Sequence, residues 1–471
     1  MRKLLVLTIL LLQACSVISP LNIGPNSILE PTQTSGFTVT PSPTETAAPT
    51  ATEMPPTPEP SSTPTTVPTV QAEEGFQVRL HPDGGLFVGD RISFEVIAPP
   101  GEDMEGKQAQ IQLESSEGLK FEPVDFDPFG IAGRIQATFV WVWDTAGFDP
   151  GKYEVTVSIL PEGETWAETV TLIPQSELPE DEQGAKWESI QTECCVLNYV
   201  TNSDAARDIE DLADTADEQA ELVTERLGVD FTEPVTVTLI PRSIGHGGFA
   251  GEEIYITYSD ENYVGSRFDL VLHHEMVHII DGRLEGESRP SVFVEGLAVY
   301  LTGGHFKSEE LLPRAAALLE LSTDGEDWYV PLRDLANDFY PQQHEIGYLQ
   351  GAALVEYMVN RWSWDQFNSF YRSIPDFENS DRVAEIDSAL QDHYGISFDE
   401  FEAGFMEELR AQEMTPEIRS DLEYTVSFYD TVRRYQMLLD PSAYFTTAWL
   451  MDGPSMRERG IVADFVRSPT A

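Results

Sequence analysis

The 471-residue chain reads as a multidomain protein, with an all-β sandwich followed by an α+β domain whose C-terminal half is mostly helical. Three observations predict this. Between residues 76 and 174, apolar and polar positions alternate in short runs such as "RISFEVIA" and "KYEVTVSIL". Pro, Gly and Asp separate these runs, the pattern of half-buried antiparallel strands. From residue 186 strands alternate with a helix, and beyond Phe268 the apolar spacing is that of helices.

Charge narrows the function first. There are 81 acidic and 28 basic residues, a formal charge of −53, so the surface repels nucleic acid and anionic lipid headgroups. The acid is spread along the chain, as in a solvated coat, and says little about a ligand.

The N-terminus carries an address. Arg2 and Lys3 precede an apolar run from Leu4 to Leu12, too short to span a bilayer and followed by small residues, as in a secretory signal over residues 1–14. Leu12-Gln13-Ala14-Cys15 resembles a bacterial lipobox, which implies cleavage and lipidation at Cys15. Residues 15–74, rich in Pro, Thr, Ser and Glu, lack the large apolar groups that offset chain entropy and read as an extended linker. The expected location is outside the cytoplasm, at a bacterial cell surface, with the lipid anchor as the only membrane contact.

Residues 75–174 form the expected sandwich. "FVWVWDTAGFDPGKYEVTVSIL" resembles the penultimate hairpin of bacterial immunoglobulin-like modules. No cysteine lies in this stretch, so aromatic and aliphatic side chains must supply the core. With no convergent polar cluster, the module reads as a spacer.

The next region opens with "ESIQTECCVLNYV" as a strand, then a helix capped by Ser203 or Asp204 and stopped by Gly228, then "PVTVTLIP" and "EEIYITY" as strands. Vicinal Cys194 and Cys195 are either buried thiols or a strained ring, and not a metal site. A helix from about Phe268 to Gly282 carries "LHHEMVHIIDG", which holds three of the chain's eight histidines.

On that helix His274 and His278 stand four apart, so their imidazoles share a face one turn apart, the geometry one zinc ion needs for two nitrogen ligands. Glu275 is rotated about 100° from His274, badly placed as a ligand and well placed to contact a metal-bound water. His273 points elsewhere and reads as a structural hydrogen-bonding residue. A catalytic zinc needs a third protein ligand and an open position. Glu295, in the apolar helix "PSVFVEGLAVYLTGG" bounded by Pro290 and Gly303, is a carboxylate costly to bury without a cation.

"HHEMVH" followed by "RPSVFVEGLAVYL" resembles the gluzincin zinc peptidases, most closely the bacterial peptidase MA-like domains, over about residues 186–412. The metzincin offsets are absent, since Asp281 and Leu284 occupy them. The resemblance implies a zincin-like fold and one catalytic Zn2+ held by His274, His278 and Glu295. It also implies that Glu275 activates water against a peptide or protein substrate. Later, "GYLQGAALVEYMVNRW" resembles the helix packed beneath such a site, and "GEEIYITY" the edge strand that aligns an extended substrate. For the oxyanion donor the candidates are Tyr348 and, behind it, His344; with Tyr340 they recur every four residues. One departure is Val299, where thermolysin-like enzymes carry an acidic residue. Residues 413–471 read as a helical extension packed on the domain, either lidding the cleft or covering it. The competing reading is a non-catalytic surface lipoprotein that binds peptide or glycan on the same scaffold.

Overall fold

The computed structural model describes residues 75–114, 118–129, 133–241, 247–259, 267–284, 286, 289–305, 307–323, 326–377, 381–439 and 453–467. The expected signal, Cys15 and the linker lie outside them.

Strands β1 (Gln77–His81), β2 (Leu86–Phe87), β3 (Arg91–Ile97), β4 (Gln108–Glu114), β5 (Val124–Asp125), β6 (Asp127–Phe129), β7 (Arg134–Asp144), β8 (Gly151–Leu160) and β9 (Thr165–Ile173) build two sheets. Their orders are β1-β3-β7-β6 and β2-β9-β8-β4-β5. Alternate residues of the two inner faces meet in one core around Phe94, Ile111, Phe139, Trp143 and Val157. Trp143 is held edge-on by Phe148 and Tyr153. The period-two reading of this region therefore becomes a two-layer β structure closed by aromatic packing, without a disulfide.

A third sheet follows, of β10 (Trp187–Gln191), β11 (Cys195–Val200), β12 (Val235–Ile240), β13 (Gly248–Ala250) and β14 (Ile254–Thr257), in the order β10-β11-β12-β14-β13. The three central strands are parallel, and the two outer strands pair antiparallel to them. The stretch expected as one strand around residue 194 is instead a hairpin. Its turn contains the Cys194–Cys195 disulfide, and Asp217 accepts from Thr192 Oγ1 at 2.6 Å and from the Cys194 amide at 2.8 Å. Of the two states open for these cysteines, the ring is the one present.

The expected helix after Ser203 is broken at Asp208 into α1 (Asp204–Arg207) and α2 (Ile209–Leu227). Ser203 caps the first, and Gly228, at φ 70°, ends the second in the left-handed region that glycine adopts without strain. Then come α3 (Phe268–Gly282) and α4 (Ser291–Thr302), the two motif helices, with the bounds their sequence signals predict. The helical half continues through α5 (Leu311–Ala316), α6 (Leu332–Asn337), α7 (His344–Arg361), α8 (Trp364–Ser373), α9 (Val383–Tyr394), α10 (Phe398–Ala411) and α11 (Pro416–Leu439). Short helices α12 (Gly453–Arg459) and α13 (Ala463–Val466) close the chain. One apolar core joins the sheet to α1–α11.

Two details of this packing place the motif helices. Helix α3 lies on β13 and β14, and Gly248 permits it: a Cβ there would stand 2.7 Å from Val271 Cγ1 and 3.0 Å from the Tyr255 carbonyl oxygen. Helices α4 and α7 cross backbone to backbone at Gly296 and Gly351, where a Cβ on Gly296 would meet the Gly351 carbonyl oxygen at 2.4 Å. The residue beside that crossing is Glu295.

Residues 453–467 dock on β14 and its neighbours and on the sandwich. Arg457 pairs with Glu253 at 2.7 Å, the Gly453 amide donates to the Tyr255 hydroxyl, and Arg467 pairs with Asp90 and Glu182. Trp141 Nε1 donates to Asp464 at 3.2 Å. This segment ties the third sheet to the β sandwich.

Candidate metal centre

The face of α3 that carries His274 and His278 turns toward α4, and Glu295 projects from α4 between them. The two Nε2 atoms are 3.0 Å apart. Glu295 Oε2 is 3.4 Å from His274 Nε2 and 3.2 Å from His278 Nε2. Side chains from two separate helices thus present three lone-pair atoms to one point.

The geometry of this triangle fits a bound cation. Two facing Nε2 atoms share at most one useful hydrogen. Glu295 Oε2, buried, has no hydrogen-bond partner among the described residues, and neither a lysine nor an arginine pairs with that carboxylate there. A tetrahedral ion with bonds of about 2.0–2.1 Å requires ligand–ligand edges of roughly 3.3–3.4 Å. The observed edges of 3.0–3.4 Å match, and two imidazoles with one carboxylate suit zinc.

The local electrostatics agree. Burial pushes His274 down to about 4, so its ring is a neutral donor. Burial would also lower His278, but the adjacent Glu295 carboxylate outweighs it and raises that ring to about 9. The same imidazoles, against the penalty of burial, hold Glu295 well below the carboxylate range.

Glu275 stands beside the triad and not in it. Burial raises its carboxyl to about 7, against lowering contributions from His278, His305 and a backbone hydrogen bond from Ala250. A carboxylate poised near neutrality is suited to accepting and returning a proton. The Ala250 contact also corrects one expectation. "GEEIYITY" becomes β14, an interior strand; the edge strand over Glu275 is β13, three residues that show no periodicity of their own.

Support for the triad comes from beyond the motif. Tyr340 donates its hydroxyl to Glu295 Oε1 at 2.8 Å, in place of any acidic group at Val299. The Nδ1 atoms of His274 and His278 have no hydrogen-bond partner among the described residues, in keeping with that missing acid. At the far end of α3, buried Asp281 accepts from Arg289 at 3.0 Å, Arg372 at 2.7 Å and the Tyr371 hydroxyl at 2.9 Å. His273 lies off the ligand face with Nδ1 2.9 Å from Gln219 Oε1, as expected of a structural histidine.

Of the two donor candidates, the Tyr348 ring centre is 6.2 Å from that of His274. His344 packs one layer further out, its ring against Tyr348 at 4.2 Å and Tyr429 at 4.5 Å. His305, which the sequence reading passed over, is 5.8 Å ring to ring from His274 and stacks on Tyr348 at 4.4 Å. Its only sequence signal was its place just after the Gly303 stop of α4.

No protein-family model matches the sequence, and neither does any curated protein. Among solved structures the chain is similar to an M1 zinc metallopeptidase from Deinococcus radiodurans, at 10% identity and a TM-score of 0.30 over 73% of this chain and 95% of that one. It is also similar to an aminopeptidase N family protein from Idiomarina loihiensis, at 10% identity and a TM-score of 0.28 over 71% of this chain and 77% of that one.

Proposed function

We propose that this chain is a gluzincin-type zinc peptidase that cleaves peptide bonds outside the cytoplasm. In this reading a lipid on Cys15 and the linker of residues 15–74 hold it to the membrane, an immunoglobulin-like module at residues 75–174 acts as a spacer, and residues 186–412 carry the reaction. The observation that supports it most directly is the convergence of His274, His278 and Glu295 with Glu275 alongside. His274 Nε2, His278 Nε2 and Glu295 Oε2 would hold the ion, which supplies Lewis-acid polarisation of a carbonyl and acidifies water.

The chain's own groups do the rest. Glu275, beside the three ligands, takes a proton from the attacking water and passes it to the leaving amine. Strand β13, an edge strand among the described residues, would pair its backbone with an extended substrate next to the Glu275 carboxylate, which accepts from the Ala250 backbone. Tyr348, with His344 behind it, is retained as the donor toward the developing oxyanion.

The deciding experiment compares wild type with Glu275→Gln for zinc per chain and for hydrolysis of a peptide library. Zinc retained in both, with turnover reduced about 100- to 10,000-fold in the variant, supports the peptidase. A zinc-loaded wild type that cleaves no peptide and matches the variant in peptide binding supports the non-catalytic alternative.

A further inference from the structure

A second, looser cluster of two histidines and a carboxylate lies beside the first triad. His305, just beyond α4, and His344 and Glu345, which open α7, are all buried. Glu345 Oε1 lies 3.2 Å from His305 Nδ1 and 3.9 Å from His344 Nδ1. One ligand atom from each of the three falls within 4.8 Å of the others. Among the described residues, no lysine or arginine pairs with Glu345. Lys307 acts on Glu345 through space while ion-paired with Asp421, so the groups within 4 Å of this buried carboxylate are the two imidazoles, and a buried carboxylate without a full cationic partner is costly.

We infer that His305, His344 and Glu345 form a second metal site, distinct from the triad of His274, His278 and Glu295 and sharing no ligand with it. Two imidazoles and a carboxylate select a first-row divalent transition ion such as zinc, nickel or cobalt over calcium or magnesium, which take all-oxygen shells. The second site is the weaker of the two. Its atoms must close in from separations of up to 4.8 Å, where the first triad spans 3.0–3.4 Å, and the positive end of the α7 dipole opposes a cation there. The Tyr348 ring stacks on both His305 and His344, at 4.4 and 4.2 Å, so an ion held by these two imidazoles adds positive charge next to Tyr348.

The test is stoichiometric. Full-length protein is stripped with a chelator and titrated with Zn2+ alone, with ions per chain read by equilibrium dialysis and elemental analysis. Wild type should bind two ions of unequal affinity. Glu345→Gln and His305→Asn should each lose the weaker and keep the tighter, while His278→Ala should lose the tighter and keep the weaker. Saturation of wild type at one ion overturns the inference. So does a second ion that survives in Glu345→Gln, since it then belongs to the acidic surface. If the variants fail to fold by circular dichroism, Co2+ titration of wild type decides: visible absorption rising to two equivalents supports the site, and a break at one removes it. These readouts do not involve peptide hydrolysis. Two ions without peptidase activity would leave this site standing and sink the proposed function, and one ion with activity would do the reverse.

Discussion

The Tyr340 hydroxyl donates to Glu295 Oε1 at 2.8 Å across 45 residues of sequence, which leaves Oε2 as the oxygen aimed at the two imidazoles. A hydrogen bond to the outer oxygen of a ligand carboxylate fixes its rotamer, and loss of such outer support typically weakens metal binding about 10- to 100-fold. Tyr340→Phe should show that loss in competition with a chromophoric chelator while its thermal unfolding of the stripped protein stays near wild type. Unchanged affinity would mean that Glu295 is positioned by packing alone.

Packing at Gly296 should matter as much. A methyl there would stand 2.4 Å from the Gly351 carbonyl oxygen, which is backbone and cannot rotate away. Gly296→Ala must therefore push α4 and α7 apart, at about 1–3 kcal/mol for overpacking, and carry the neighbouring Glu295 off its position. Urea denaturation and zinc affinity should fall together. A variant with full stability and full affinity would disprove the close crossing.

Asp281 anchors the other end of the same helix. With two arginines and a tyrosine hydroxyl on one buried carboxylate, its removal leaves two guanidinium groups uncompensated. Loss of one member of such a network typically costs about 3–5 kcal/mol. Asp281→Ala should be destabilised on that scale in urea melts, and Arg289→Met with Arg372→Met added should recover part of the loss. A cost below about 1 kcal/mol would show the network to be solvated in solution.

How much of this could be read in advance follows the range of each interaction. Period-two runs gave away the strands of the sandwich, and the bounds of α3 and α4 follow from Gly282, Pro290 and Gly303, because each signal acts over one turn. His274, His278 and Glu295 were legible since a spacing of four and a lone acid in an apolar helix both have local meaning. The roles of Tyr340, His305 and Asp281 were not: the four-residue spacing that marks Tyr340 says nothing of Glu295, 45 residues away, and Glu345 and Arg372 lie 40 and 91 residues from His305 and Asp281. The edge strand was assigned one strand too far inward because Gly248–Ala250 is too short to show a pattern. Docking of residues 453–467 onto Trp141 across 323 residues left no trace in periodicity.

The sandwich supplies a prediction with a pH signature of its own. Glu95 on β3 is 2% exposed, yet it is ionised: burial works to raise its carboxyl, and His81, Arg134 and Gln136 together hold it below the ordinary value. His81 Nε2 lies 2.9 Å from Oε2, and Gln136 Nε2 donates to Oε1 at 2.6 Å. Because the folded pKa is depressed, the stabilisation is complete above the unfolded pKa of about 4.3. It drains away as pH falls through the lower, folded value. Glu95→Gln should thus be less stable than wild type at pH 7, by about 1.5–3 kcal/mol for each charged hydrogen bond weakened. The gap should narrow steadily below pH 4.3. Amide hydrogen exchange along Arg91–Ile97 reports this strand separately from the rest of the chain, where a global melt would mix domains. A gap that stays constant from pH 7 to pH 3 would mean that Glu95 is not the charged member of the cluster.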